Sequence, residues 1–189
     1  MRIVGGRHKG RRLAAPGGRA VRPTTDRLRE AVFDVLMHST WGPDGADPVT
    51  GAAVLDAFCG TGALGLEALS RGAACTWFLD TGAEALDMAR RNATALGEAG
   101  RAVTLRADAT RPPRARTAAG LAFLDPPYGK GLAAAALAAL SAAGWLVPGC
   151  VAVIELSRRD LFVAPLGFTM LDDRSYGETR IVFVRHEPP

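Results

Sequence analysis

Two short stretches carry residue types suited to group transfer. In FCGTGALGLEALSRG, Phe58 to Gly72, Gly60, Gly62 and Gly65 fall in a G-x-G-x-x-G spacing; in LDPPYGKG, Leu124 to Gly131, Asp125 precedes two prolines and Tyr128. A glycine turn between a strand and a helix lets a ligand approach the backbone closely beyond the strand ends. Taken alone it fits either a dinucleotide or a methyl donor, and many α/β proteins carry such a loop for structural reasons.

The neighbouring carboxylates separate those readings. Asp56 stands just before the glycines, where its charge would repel a pyrophosphate and attract a sulfonium or an amino-acid ammonium. Asp80 closes the next strand, about twenty residues on, and can accept from both ribose hydroxyls. Asp108, in LRAD, is placed to accept from an adenine amino group. Any one of these could be a cap or turn residue, but together they describe a nucleoside carrying positive charge, S-adenosylmethionine before NAD. With Phe58, Gly60 and Gly62, they form the expected cofactor site.

In the second stretch Pro126 and Pro127 fix φ and remove two N–H donors, leaving a stiff corner that presents carbonyls. The Asp125 carboxylate and the Pro126 carbonyl match the two hydrogens of an exocyclic amine. Tyr128 offers a flat face for the same base, worth roughly 1–3 kcal/mol. Such an amine is a poor nucleophile because its lone pair is delocalised into the ring. Holding it toward tetrahedral geometry aims that pair at a methyl carbon, so positioning carries the catalysis. Asp125, Pro126, Pro127 and Tyr128 are the expected catalytic residues. A covalent route through a pyrimidine C5 would need a cysteine beside them, and Cys59 and Cys150 read as packing residues.

Elements that would position these groups follow from periodicity. Apolar runs at 53–58, 75–80, 102–107, 121–125 and 150–156 alternate with helical patterns at 63–71, 83–96 and 132–143, the signature of a parallel sheet with helical crossovers. FTML and TRIVFVRH then flank a turn-like DDRSYGE and predict a closing antiparallel hairpin, unlike the repeated halves of a dinucleotide-binding fold. Upstream, Arg2 to Val4 and Arg11 to Ala14 read as a hairpin too small to stand alone. Leu28, Val32, Val35 and Leu36 then give a helix one packing face, with Arg22, Arg27 and Arg29 on or near the other. Turn formers over 41–51 mark the boundary, giving residues 1–48 as a basic, polyanion-facing extension and 49–189 as the main domain.

The chain of 189 residues suffices for one α/β domain, and its 48% hydrophobic content is inflated by alanine, as in AAAALAALSAAG. Residues 1–30 hold nine Lys/Arg against Asp26 and Glu30, while the rest holds fourteen against seventeen, so a net charge of +4 conceals a basic arm on a near-neutral body. Such an arm suits a polyanion, with Arg7, Lys9, Arg11 and Arg12 as phosphate contacts. Three scattered cysteines with no C-x-x-C pair give neither a disulfide framework nor a zinc site. No metal is expected, and the absence of a leader or a long apolar run predicts an intracellular protein with no membrane association.

RIVGGRHKGRRL, RPTTDRLREAVFDVL, LDAFCGTGALGLEALSRGA, LDPPYGKGL and YGETRIVFV together resemble the RsmD-type bacterial 16S rRNA (guanine(966)-N(2))-methyltransferases. The resemblance implies a Rossmann-like class I SAM-dependent methyltransferase, with a seven-stranded mostly parallel sheet, a C-terminal antiparallel hairpin and an N-terminal hairpin and helix extension. It implies S-adenosylmethionine as donor, S-adenosylhomocysteine as product, and 16S rRNA in the 30S subunit or an assembly intermediate as partner of a cytoplasmic monomer. RPTTDRLRE matches a segment beside the active site, so Arg22, Thr24 and Arg27 are expected at RNA or over the cofactor. Asp80 stands where many relatives have Glu, and RPPRART at 111–117 replaces a helix-like stretch with a basic loop. The alternatives are a DNA amino-methyltransferase, which would need a sequence-reading domain the chain has no room for, and a non-catalytic assembly factor, which the intact Asp125 to Tyr128 disfavours.

Overall fold

The computed structural model describes residues 1–15 and 26–187; Arg22 and Thr24 lie outside the described residues. Its centre is a seven-stranded sheet of order β3-β2-β1-β4-β5-β7-β6. The strands β1 (Ala53–Ala57), β2 (Cys75–Asp80), β3 (Ala102–Arg106), β4 (Ala119–Leu124) and β5 (Leu146–Ser157) run parallel. Strands β6 (Phe168–Tyr176) and β7 (Thr179–His186) close the sheet antiparallel. The order reverses at β1, with β2 on one side and β4 on the other, so the carboxyl ends of β1 and β4 border the crevice where open α/β sheets take ligands.

Alternation along the strands divides the core. Val54, Phe78, Leu121, Phe123, Val153 and Phe183 face α1 (Asp26–His38), α2 (Ala63–Ser70) and α3 (Ala83–Leu96). Leu55, Leu79, Ala122, Ile154 and Val182 face α4 (Leu132–Ala142), an alanine-rich helix that brings little area of its own. Irregular chain completes the cover on that side. Trp145, buried there, donates from Nε1 to the Pro113 carbonyl at 2.8 Å and takes the edge of Trp77 at 5.6 Å between centroids.

Three expectations shift. Strand β5 begins at Leu146, four residues early, pairing through an irregular register near Pro148 and Gly149. The closing hairpin turns only at Gly177 and Glu178, because DDRSY continues β6: Arg180 binds Asp173 at 2.6 Å and Arg174 binds Asp172 at 2.7 Å, which lets charge sit on an edge strand. Arg29, expected near the outer side of α1, is fully buried; it donates to Asp26 at 2.9 Å and to the Arg2 carbonyl, and lies 3.5 Å from Glu67.

The N-terminal segment forms a single antiparallel bridge, Arg2 with Arg12, around a short helical turn at Gly6–His8. It leans on the domain behind it. Val4 N–H donates to Glu67 at 2.9 Å, His8 N–H to Ser70 at 3.0 Å, and Ser70 to the Gly5 carbonyl at 2.6 Å. A Cβ on Gly6 would stand 2.0 Å from the Ser70 carbonyl oxygen, so the arm and the end of α2 meet backbone to backbone. Ile3 and Leu13 share one core cluster with residues of α1 and α2, so the N-terminal segment packs on the sheet's helices.

Candidate active site

The glycine turn is shaped from both sides. Gly62 caps α2 with φ 77°, and a Cβ on Gly65 would meet Phe78 at 2.5 Å and Thr76 at 2.6 Å, so only glycine lets α2 start this close to β2. Phe58 has φ 60°, a region a bulky residue adopts only when its surroundings enforce it, and such strain concentrates at ligand sites.

Asp56 ends its strand buried, accepting from Gly65 N–H at 2.8 Å. Burial pushes its carboxyl up to about 8, helped by Asp80 and opposed by that hydrogen bond. The side chain expected as an anion is thus held toward its neutral form by burial, and a cation beside it would favour the charged form. Asp80 binds the backbone of two turns at once, taking Gly60 N–H at 3.0 Å on one oxygen and Gly82 N–H at 2.8 Å on the other. Ala107 N–H donates to the Asp80 carbonyl at 3.1 Å, bringing the segment after β3 alongside. Asp108 follows there, held below the ordinary carboxylate range by the hydroxyl of Thr110 and then its N–H, at 2.7 and 2.8 Å.

On the other side of β1, the Asp125 N–H reaches the Ala57 carbonyl at 3.5 Å. Leu124, the last residue of β4, pairs with Ile154, so Asp125 leaves that strand beside Glu155. Burial raises Asp125 well above its usual range, and Glu155 and then Asp56 raise it further. The Tyr128 hydroxyl donates to Glu155 at 2.8 Å, and burial followed by that carboxylate pushes the phenol up, so it stays protonated. That hydrogen bond ties the exposed Tyr128 side chain, in the segment that follows Pro126 and Pro127, to Glu155. Asp56 on β1, Asp125 just past the end of β4 and Glu155 on β5 thus gather at the carboxyl end of the sheet, an acidic group that favours cationic ligands.

Two residues here escaped the sequence reading. Glu155 sits in an otherwise apolar run, VAVIEL, and that lone charge was the available signal. Asn92, buried on α3, bonds both backbone groups of Ala14 at 2.8 and 3.0 Å and the Thr61 carbonyl at 3.0 Å, so it ties the arm to the glycine turn. Thr61 and Ala14 are thereby neighbours. Burial pushes the Cys59 and Cys150 thiols up, which leaves neither as a thiolate nucleophile.

The arm's cations divide. Arg7 donates to the Leu69 carbonyl at 3.0 Å and pairs with Glu98 at 3.0 Å, and Arg11 donates to the Ala95 carbonyl at 2.6 Å. Lys9, Arg12 and Arg27 are exposed. Among the described residues no group of three or more His, Cys, Asp or Glu is arranged to hold a metal, and no helix is long and apolar enough to cross a membrane.

The family model Conserved hypothetical protein 95 matches residues 1–185. Ribosomal RNA small subunit methyltransferase D of Escherichia coli K12 is 35% identical over 156 residues, 82% of this chain and 74% of that protein. Its namesake from Haemophilus influenzae is 29% identical over 181 residues, 94% of this chain and 89% of its own length. The solved structure of yhhF from Escherichia coli superposes with a TM-score of 0.82 at 30% identity, covering 100% of this chain and 99% of its own.

Proposed function

Because this chain belongs to the conserved hypothetical protein 95 family, together with the RsmD-type methyltransferases, we propose that it moves a methyl group from S-adenosylmethionine to the exocyclic N2 of a guanine, guanine 966, in 16S rRNA. The fold is that of class I methyltransferases. The observation that carries the reading is the adjacency of Asp125 to Glu155 and of Tyr128 to both, one strand from the glycine turn.

Gly60, Gly62 and Phe58 would receive the donor, with Asp80 at its ribose, Asp108 at its adenine and Asp56 beneath its charge. The donor supplies a methyl carbon on positively charged sulfur. Asp125 and the Pro126 carbonyl hold the two amino hydrogens and turn the nitrogen lone pair toward that carbon, while Tyr128 fixes the plane of the base. As the N–C bond forms, the S–C electron pair stays on sulfur and the nitrogen becomes acidic. Asp125 or water then takes the proton. Residues 49–189 would form the methyltransferase domain. Residues 1–48 would face RNA in the 30S subunit or its assembly intermediate, with the protein acting as a cytoplasmic monomer.

Labelled S-adenosylmethionine, offered with undermethylated 30S subunits, naked 16S rRNA and duplex DNA, should place label in small-subunit rRNA as N2-methylguanosine. Label confined to DNA overturns the reading. Asp125→Ala should lower kcat by about 10²-fold or more while donor affinity stays within about threefold, because the lost contacts act on the amine. Equal turnover by the variant contradicts the catalytic role.

A further inference from the structure

The segment from Arg158 to Gly167, between β5 and β6, exposes large apolar side chains that the rest of the surface avoids. Leu161 is 96% exposed, Val163 81% and Leu166 93%; among the described residues only Val103, Tyr128 and Met170 join them as exposed large hydrophobics, each near 40%. The exposure is built in. Phe162 and Ala164 alternate with these residues and pack on the α4 side of the core, so the inward pair fixes an extended run whose other face must look outward.

The run is also pinned to the amine-gripping corner. Arg158 N–H donates to the Glu178 carbonyl at 2.8 Å, Arg180 to the Asp160 carbonyl at 3.2 Å, and one Asp160 oxygen takes both Ser157 N–H at 3.1 Å and Gly129 N–H at 3.4 Å. Gly129 directly follows Tyr128, so Leu161 stands one residue from a contact with the catalytic segment. Exposed Lys130 follows Gly129 and exposed Arg158 and Arg159 precede Asp160, so the three cations flank the Gly129–Asp160 contact. Apolar tips fixed among cations suit a ligand with phosphates outside and stacked bases within.

We propose that this loop is a base-step wedge: Leu161, backed by Val163 and Leu166, enters the stack that the target nucleotide leaves, while Arg158, Arg159 and Lys130 hold the flanking phosphates. This rests on the proposed reaction, since an amine held by Asp125 belongs to a base that has left its stack. A leucine in the vacated space keeps the neighbouring bases from closing over it.

The test uses a small-subunit rRNA fragment with 2-aminopurine beside the target guanine, read by fluorescence with S-adenosylhomocysteine present and no turnover. Wild type should raise the emission as the step opens. Leu161→Ala and Leu161→Ser should lose most of that rise and about tenfold of kcat/KM on the structured fragment. Both should methylate a fragment whose target guanine is already unstacked within about twofold of wild type, with unchanged donor affinity, which also shows them folded. An undiminished rise in the Leu161 variants overturns the wedge. So does a defect seen only on protein-containing 30S subunits, which would mark a protein partner, or one seen only as a change in sedimentation, which would mark a second copy. Failure of wild type to methylate the fragment while it still opens the step would count against the reaction and leave the wedge supported.

Discussion

Asp56 shows how a single carboxyl sets the balance between stability and binding. Its proton affinity is raised to about 8 in the folded chain, whereas the unfolded chain holds it near 3.8. The native state therefore binds more protons between these values, so this group's contribution to stability falls as pH rises through that window and is lowest above it. Asp56→Asn keeps an acceptor for Gly65 and removes the buried charge. It should raise the unfolding free energy of the unliganded protein at pH 8.5 by about 1–3 kcal/mol, leave stability at pH 4 nearly unchanged, and weaken donor binding. Denaturant titrations at the two pH values check it, and a variant less stable than wild type at pH 8.5 would contradict the assignment. Asp56 and Asp125 were legible because each sits beside a motif whose geometry is local. Glu155 was not, since its meaning comes from pairing β5 with β4, and Leu124 to Ile154 spans a whole crossover.

At the scale of elements, the parallel strands and α3 were readable from periodicity alone, because alternating burial leaves its imprint on each strand. The arm was not. Its charges look alike in sequence, yet Arg7 and Arg11 are engaged by Glu98 and by the carbonyls of Leu69 and Ala95, contacts more than sixty residues distant. Arg29 misled for the same reason, with Glu67 buried beside it. A division of labour follows: Lys9→Ala with Arg12→Ala should flatten the salt dependence of RNA binding by up to about two units of log–log slope and leave thermal stability nearly unchanged. Arg7→Ala should instead lower stability, by about 1 kcal/mol, because it strips a partner from buried Glu98. Filter binding across a salt series, with thermal melts, separates the two, and an unchanged slope in the Lys9 and Arg12 variant would remove the arm from the RNA interface.

At the scale of the whole molecule, α1, α2, α3 and the arm lie on one side of the sheet, and α4 and irregular chain on the other. The first side is braced by long-range ties, among them Asn92, which joins α3, the arm and the glycine turn. The opposite side was the harder to anticipate, since a basic, proline-rich stretch at 111–117 gives no periodic signal. It is nonetheless anchored, by Trp145 to Pro113 and by Ala115 N–H to the Ala143 carbonyl at 3.0 Å. That anchorage makes the indole of Trp145 an optical gauge. It is sealed from water and packs edge-on against Trp77, so its emission should be blue while Pro113 stays seated and should redden when the stretch lifts. A partner that lifts 111–117 should then be visible in the protein's own light, without a label.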